Sequence, residues 1–184
     1  MIALIHVHPY PEHSRVNRAL LDAVRDVPDV EVRKLYSLYP DFHIDVRTEQ
    51  DVLSRSHTVV LQHPLHWYQA PALLSLWLEK VLAYGWAYGH AADGQAAHQM
   101  SGKRLLWVTS TGGGSAAYQA GGQNHATMDE IATPLRLTAA FCGMQWLPPH
   151  VVHGASRLDD ATLVQAGQRY RERLMAEAMQ GVQS

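Results

Sequence analysis

Apolar runs of strand length alternate with stretches of helical period along this chain of 184 residues. Residues 2–7 (IALIHV), 57–64 (HTVVLQHP) and the apolar centre of RLLWVTS, residues 105–108, can be buried on both faces, as strands of a parallel sheet are. VEVRKL at 30–35 alternates and predicts another strand. Residues 15–26 carry Val16, Leu20 and Ala23/Val24 on one helical face, with Ser14 as N-cap. TEQDVLSRS at 48–56 predicts a short helix, and YSLYPDFHID at 36–45 a polar-aromatic connection. Pro71 opens a helix through Leu82, at a first-turn position that proline favours. Residues 127–143 predict a helix that Pro134 either kinks or starts. MQWLPPHVVHG, 144–154, is a last strand region broken by prolines, hence irregular or at an edge. Residues 159–180 form an amphipathic final helix with Asp159 as N-cap. Two excursions, 84–103 and 112–126, exceed ordinary loop lengths, a trait of functional loops.

Five strands alternating with five helices imply a parallel sheet covered on both faces and connected right-handedly. Five strands fit the flavodoxin-like order 2-1-3-4-5 better than a six-stranded dinucleotide fold. No linker and no internal repeat divides the chain, so one α/β domain is expected over 1–184.

Composition narrows the function. Hydrophobic residues make up 47% and charged residues 17%, which suits a packed globule rather than a disordered chain. A formal charge of −2 with no basic cluster argues against nucleic-acid binding. The single cysteine, Cys142, cannot form an internal disulfide and suits a reducing compartment. No signal peptide and no apolar run of about 18 residues is present, so a cytoplasmic protein is expected. Twelve histidines invite a metal hypothesis. His6 and His8 share a face of the first strand, and His63 and His66 form an H-x-x-H read as lying in a loop. Neither has a zinc spacing, so no metal site is expected, and scattered surface and loop histidines are the reading.

In a parallel sheet the turns after the first, third and fourth strands leave from one edge, where ligands bind. HPYPEHSRVN leads into a helix N-terminus, whose free N–H groups and dipole favour a phosphate dianion. Ser14 and Asn17 lie there. The P-loop and G-x-G-x-x-G patterns are absent, which argues against ATP or a Rossmann-bound dinucleotide. HPLHWYQAP supplies aromatic bulk against which a planar ring could lie. Ser110 and Thr111 close the fourth strand, and Gly112, Gly113 and Gly114 leave backbone N–H groups bare for a ligand. Each loop also has a plain reading: an N-cap, a dimer contact, a turn.

HPYPEHSRVN, HPLHWYQAPALLSLWLEKV, GWAYG, TSTGGG and CGMQWLPP together resemble the flavodoxin-like NAD(P)H:quinone oxidoreductases. Among these they are most similar to the ancillary oxidoreductases of glutathione-regulated potassium-efflux antiporters. The resemblance implies FMN, two-electron quinone reduction by NADH or NADPH, and a homodimer with sites at the subunit interface. It also implies an alternative, a regulatory subunit of a potassium/proton antiporter, peripheral on the inner face of the cell membrane, whose flavin chemistry is secondary. Carried onto this sequence, FMN contacts fall on His8, on Ser14, Arg15, Val16 and Asn17, and on Leu65, His66, Trp67 and Tyr68. They fall also on Ser110, Thr111, Gly112 and Gly113. The larger eukaryotic relatives bind FAD and carry a C-terminal extension that this sequence lacks, which favours FMN over FAD. Those relatives place a histidine six residues after a tyrosine in the loop following the glycines. Here Tyr118 matches, while His125 comes seven residues later. The proton donor to quinone is thus expected at Tyr118, with His125 or water as alternatives.

Overall fold

The computed structural model describes residues 1–181. Strands β1 (Ile2–His6), β2 (Val30–Lys34), β3 (Thr58–Pro64) and β4 (Arg104–Ser110) are all parallel. The fifth position is filled by two short strands, β5 (Gln145–Trp146) and β6 (His150–Val152). β5 pairs with the start of β4 and β6 with its end, so the order runs β2-β1-β3-β4-β5 with β6 continuing the same edge. This is the expected flavodoxin-like order. Pro148 and Pro149 explain the break, since neither has an N–H to give the ladder.

Helices α1 (Arg15–Ala23), α2 (Leu35–Leu38), α3 (Val46–Arg55), α4 (Ala72–Val81), α5 (Met128–Ile131), α6 (Thr133–Phe141) and α7 (Asp160–Gln180) connect and cover the strands. Three expectations need correction. The connection after β2 begins with α2, whose Leu35 is buried. Pro71 is the N-cap of α4, outside its first turn. The helix expected over 127–143 is two helices: Thr127 and Glu130 form a reciprocal capping box on α5, and Pro134 lies in the first turn of α6.

Alternation along the strands sends side chains to two cores. Ile2, Leu4, Val60, Leu106 and Val108 meet Val16 and Leu20 of α1 and Tyr170 and Leu174 of α7. Ala3, Ile5, Val59, Leu61 and Trp107 meet Leu53 of α3, Leu74 and Trp77 of α4 and Ala139 of α6. One charge is buried in the second core. The Glu49 carboxylate accepts from Arg33 at 2.6 Å, Tyr39 at 2.6 Å and Trp77 at 2.9 Å, so α3 is fixed to β2 and α4. Such satisfaction is what permits a buried carboxylate. Among the described residues no helix is long and apolar enough to cross a membrane.

Candidate functional site: the strand-end cleft

The carboxyl ends of β1, β3 and β4 open into one cleft of about 460 Å³. It is lined by His8, Ser14, Arg15, Val16, Asn17, Leu65, His66, Ser110, Thr111 and Gly112 of the sequence-predicted residues, together with Tyr10, His13, Pro64, Ala155 and Ser156.

One wall is the start of α1. Ser14 caps the helix, its Oγ accepting from Asn17 N at 3.2 Å. Among the described residues the N–H groups of Arg15 and Val16 have no partner, so the helix end presents free donors to the cleft. Only their backbone is available. The Arg15 guanidinium is tied to Leu158 O and the Asp160 carboxylate, and the Val16 side chain is buried in the core.

A second wall is the end of β4 and the turn after it, joined to α1 by the Asn17 Nδ2–Ser110 Oγ hydrogen bond of 2.9 Å. Thr111 N donates to Val152 O, and the Gly113 carbonyl accepts from Gly154 N at 2.9 Å and from Thr111 Oγ1 at 2.8 Å. The carbonyl side of the turn is thereby anchored to the segment after β6, while the N–H groups of Gly112 and Gly113 find no partner among the described residues. Neither glycine has a positive φ; a Cβ at Gly112 would meet open space, and one at Gly113 would lie 3.2 Å from the Tyr118 ring. The bare backbone, rather than an unusual conformation, is what these glycines provide.

Gly113, expected at the cofactor, is outside the cleft lining, as is Tyr118 behind it, whose ring lies 5.4 Å from that of His153. Because the Thr111 hydroxyl spends its proton on Gly113 O, it accepts from His153 Nδ1 at 3.0 Å. His153 was not singled out from the sequence. Its signal was obscured by the prolines that made the fifth strand read as irregular, and Ala155 and Ser156 were hidden for the same reason.

Trp67 and Tyr68 lie outside the cleft lining as well. They form the tip of a two-residue turn closed by His66–Gln69 backbone hydrogen bonds of 3.0 and 2.9 Å, with φ of +50° and +62°. Both angles lie in the left-handed region that bulky residues avoid, a strain typical of functional turns. Trp67 is 88% exposed, and Tyr68 borders a neighbouring apolar cavity of about 260 Å³ with His63, Leu65 and Trp107. Tyr68 Oη reaches Asn124 Oδ1 at 3.3 Å, which ties this turn to the loop carrying His125.

The histidines at these strand ends are mostly buried, a correction to the surface reading. His63 lies within β3 and not in a loop; its Nδ1 donates to Pro64 O at 2.9 Å and its Nε2 accepts from Trp107 Nε1 at 2.8 Å. Burial lowers its pKa to about 4, so it is neutral. His8 lies beyond β1, its pKa lowered by burial and by nearby His66. Its Nδ1 accepts from Tyr10 N, which leaves Nε2–H as a donor at the cleft.

A family described by a flavodoxin-like fold matches residues 1–174. The chain belongs to that family. It is 46% identical to the glutathione-regulated potassium-efflux system ancillary protein KefF of Enterobacter sp. (strain 638), over 95% of this chain and 96% of that protein. Among solved structures, a protein described as a thermophilic tryptophan halogenase from Streptomycin violaceusniger superposes with TM-score 0.88 at 39% identity, covering 95% of this chain and 98% of that one. General stress protein 14 of Treponema denticola, in complex with FMN, gives 0.86 at 32% identity over 95% and 98%. An NADPH-quinone reductase from P. pentosaceus gives 0.84 at 28% identity over 94% and 96%. The descriptions of these similar proteins differ: a potassium-efflux ancillary protein, a halogenase, a stress protein and a quinone reductase.

Proposed function

We propose that this chain, working as one domain, binds FMN in the strand-end cleft and catalyses two-electron reduction of quinones by NAD(P)H in alternating half-reactions. The observation that carries this reading is that one cleft is lined both by the start of α1, with the free N–H groups of Arg15 and Val16, and by Gly112, whose N–H is also without a partner among the described residues. The FMN-bound and quinone-reductase relatives support it. The chemistry FMN supplies is hydride exchange, from NAD(P)H in one half-reaction and to a quinone in the next.

The free N–H groups and dipole of α1 suit a phosphate dianion, with Ser14 at the cap. Gly112 and Gly113 N–H groups suit the polar edge of a ring system, where fixed donors stabilise growing negative charge. Leu65, His66, Trp67 and Tyr68 would bound the ring and the slot beside it. Tyr118, held behind the glycine turn with His153, would keep a proton at its phenolic oxygen for the quinone; His125 or water are the alternative donors. A homodimer would close the slot.

Purified protein reconstituted with FMN tests this directly. It should show flavin absorbance bands, oxidise NADH or NADPH with a quinone acceptor, and give parallel double-reciprocal lines. Failure to bind FMN would overturn the reading.

A second reading has one specific support, the name of the 46%-identical relative. On that reading the chain docks peripherally on a potassium-efflux antiporter at the cytoplasmic face, and catalysis is secondary. Co-purification with the antiporter from membranes, independent of flavin content, would favour it.

A further inference from the structure

We propose that Gln62 and Tyr170 are positioning residues for phosphate recognition, acting through a buried hydrogen-bond chain that ends at Ser110 in the cleft. The inference rests on the flavin reading above. Tyr170 Oη donates to Gln62 Oε1 at 3.0 Å, and Gln62 Nε2 donates to the Asn17 carbonyl at 3.0 Å. Asn17 Nδ2 in turn donates to Ser110 Oγ at 2.9 Å. All four residues are buried, and they come from α7, β3, α1 and β4.

The direction of the chain is fixed by chemistry. A backbone carbonyl only accepts, so Gln62 must turn its NH₂ to Asn17 and its oxygen to Tyr170, which makes Tyr170 the donor. Asn17 donating to Ser110 Oγ leaves the serine's own proton unclaimed, and Ser110 lines the cleft. The reverse amide orientation would satisfy Asn17 Oδ1, now buried without a partner among the described residues, but would turn that proton inward. Binding of an anion in the cleft would favour the orientation that leaves this proton free.

A glutamine in the middle of a buried strand is costly unless it is fully bonded, and here both ends are. Its neighbours across the sheet are His6 and Val108. Packing of Val16 and Leu20 seats α1 on the sheet, yet apolar contact is non-directional and leaves slide and rotation soft. Directional bonds come from Asn17 to Ser110, from Arg171 to the Ala23 carbonyl and, at the backbone of the first turn, from Gln62. Gln62 fixes the Asn17 backbone while the Asn17 side chain holds Ser110, and together they set the free N–H groups of Arg15 and Val16 relative to Ser110. Tyr170 keeps Gln62 from swinging.

The affinities of FMN and of riboflavin, which lacks the phosphate, separate this role from general support of the fold. Both are read by flavin fluorescence quenching in wild type, Tyr170→Phe, Gln62→Met and the double variant. FMN affinity should fall about 5- to 20-fold in each single variant, while riboflavin affinity changes about twofold or less. The double variant should be no weaker than Gln62→Met, because Tyr170 acts only through Gln62. Equal losses for the two flavins, or no loss for FMN, would overturn the proposal. If Gln62→Met does not fold, Tyr170→Phe, which removes one hydroxyl, carries the comparison alone. Wild-type protein that binds no FMN would overturn the flavin reading itself, a result distinct from wild-type-like flavin selectivity in the variants.

Discussion

At Gly112 the fold itself leaves room for a side chain, and the backbone there is not left-handed. The glycine therefore serves whatever occupies the cleft. Gly112→Val should keep the thermal stability of the apo-protein, within the usual ±0.5 kcal/mol of a surface change, and weaken FMN binding at least tenfold. Full flavin occupancy in that variant would move the ligand elsewhere. Buried histidines set the acid response. Burial holds His6 and His63 near pKa 4, with His8 adding to the effect at His6; burial beside Arg169 and Arg173 does the same at His150. Below pH 6.5 the unfolded chain takes up protons that the folded chain refuses, so stability falls from pH 6.5 towards 4 and then levels for these groups. At pH 5 each should cost about 2 kcal/mol relative to pH 7.5. Urea unfolding at the two pH values checks this, and His6→Gln should shrink the difference. Carboxylates with lowered pKa, such as Asp45 and Asp159, act only below that window.

At the scale of elements, α7 depends on its cap: Asp159 accepts from Thr162 N at 2.7 Å. Asp159→Ala should lower stability, read as a drop in urea midpoint with an unchanged m-value. The cap was legible in sequence because an acid preceding an amphipathic run has few other uses. The strands β1, β3 and β4 were legible because burial on both faces leaves unbroken apolar runs. α2 was not, since four residues are too few to display a helical period. Pro134 admitted two readings, and the capping box upstream of it decided for two helices. The cleft loops followed from topology alone, as all leave one sheet edge. The role of Gln62 was not legible, because its partners Tyr170 and Asn17 are 108 and 45 residues away. The left-handed Trp67–Tyr68 turn had no glycine or asparagine to announce it.

For the whole molecule, the exposed aromatic and apolar surface is where the proposed homodimer would form. Trp67, Tyr84, Leu137 and Phe141 are 62–88% exposed, and a groove of about 680 Å³ between α4 and α6 is lined by Leu78, Leu82, Tyr88 and Phe141. A second copy of the chain covering this face would remove it from water and close the slot beside the cleft. Quinone turnover per flavin should therefore collapse on dilution in step with the fall to monomer mass, read by mass photometry alongside NADPH oxidation. Monomers that turn over at the dimer rate would rule out a shared site. The broken fifth strand bears on how molecules can meet. β5 and β6 offer ladders of only two and three residues, with Pro148 and Pro149 between them. A foreign strand arriving on that side finds no continuous row of backbone partners to zip along. Crowded chains are steered away from fibrous stacking at this edge, which leaves the helical faces as the place for the proposed dimer contact.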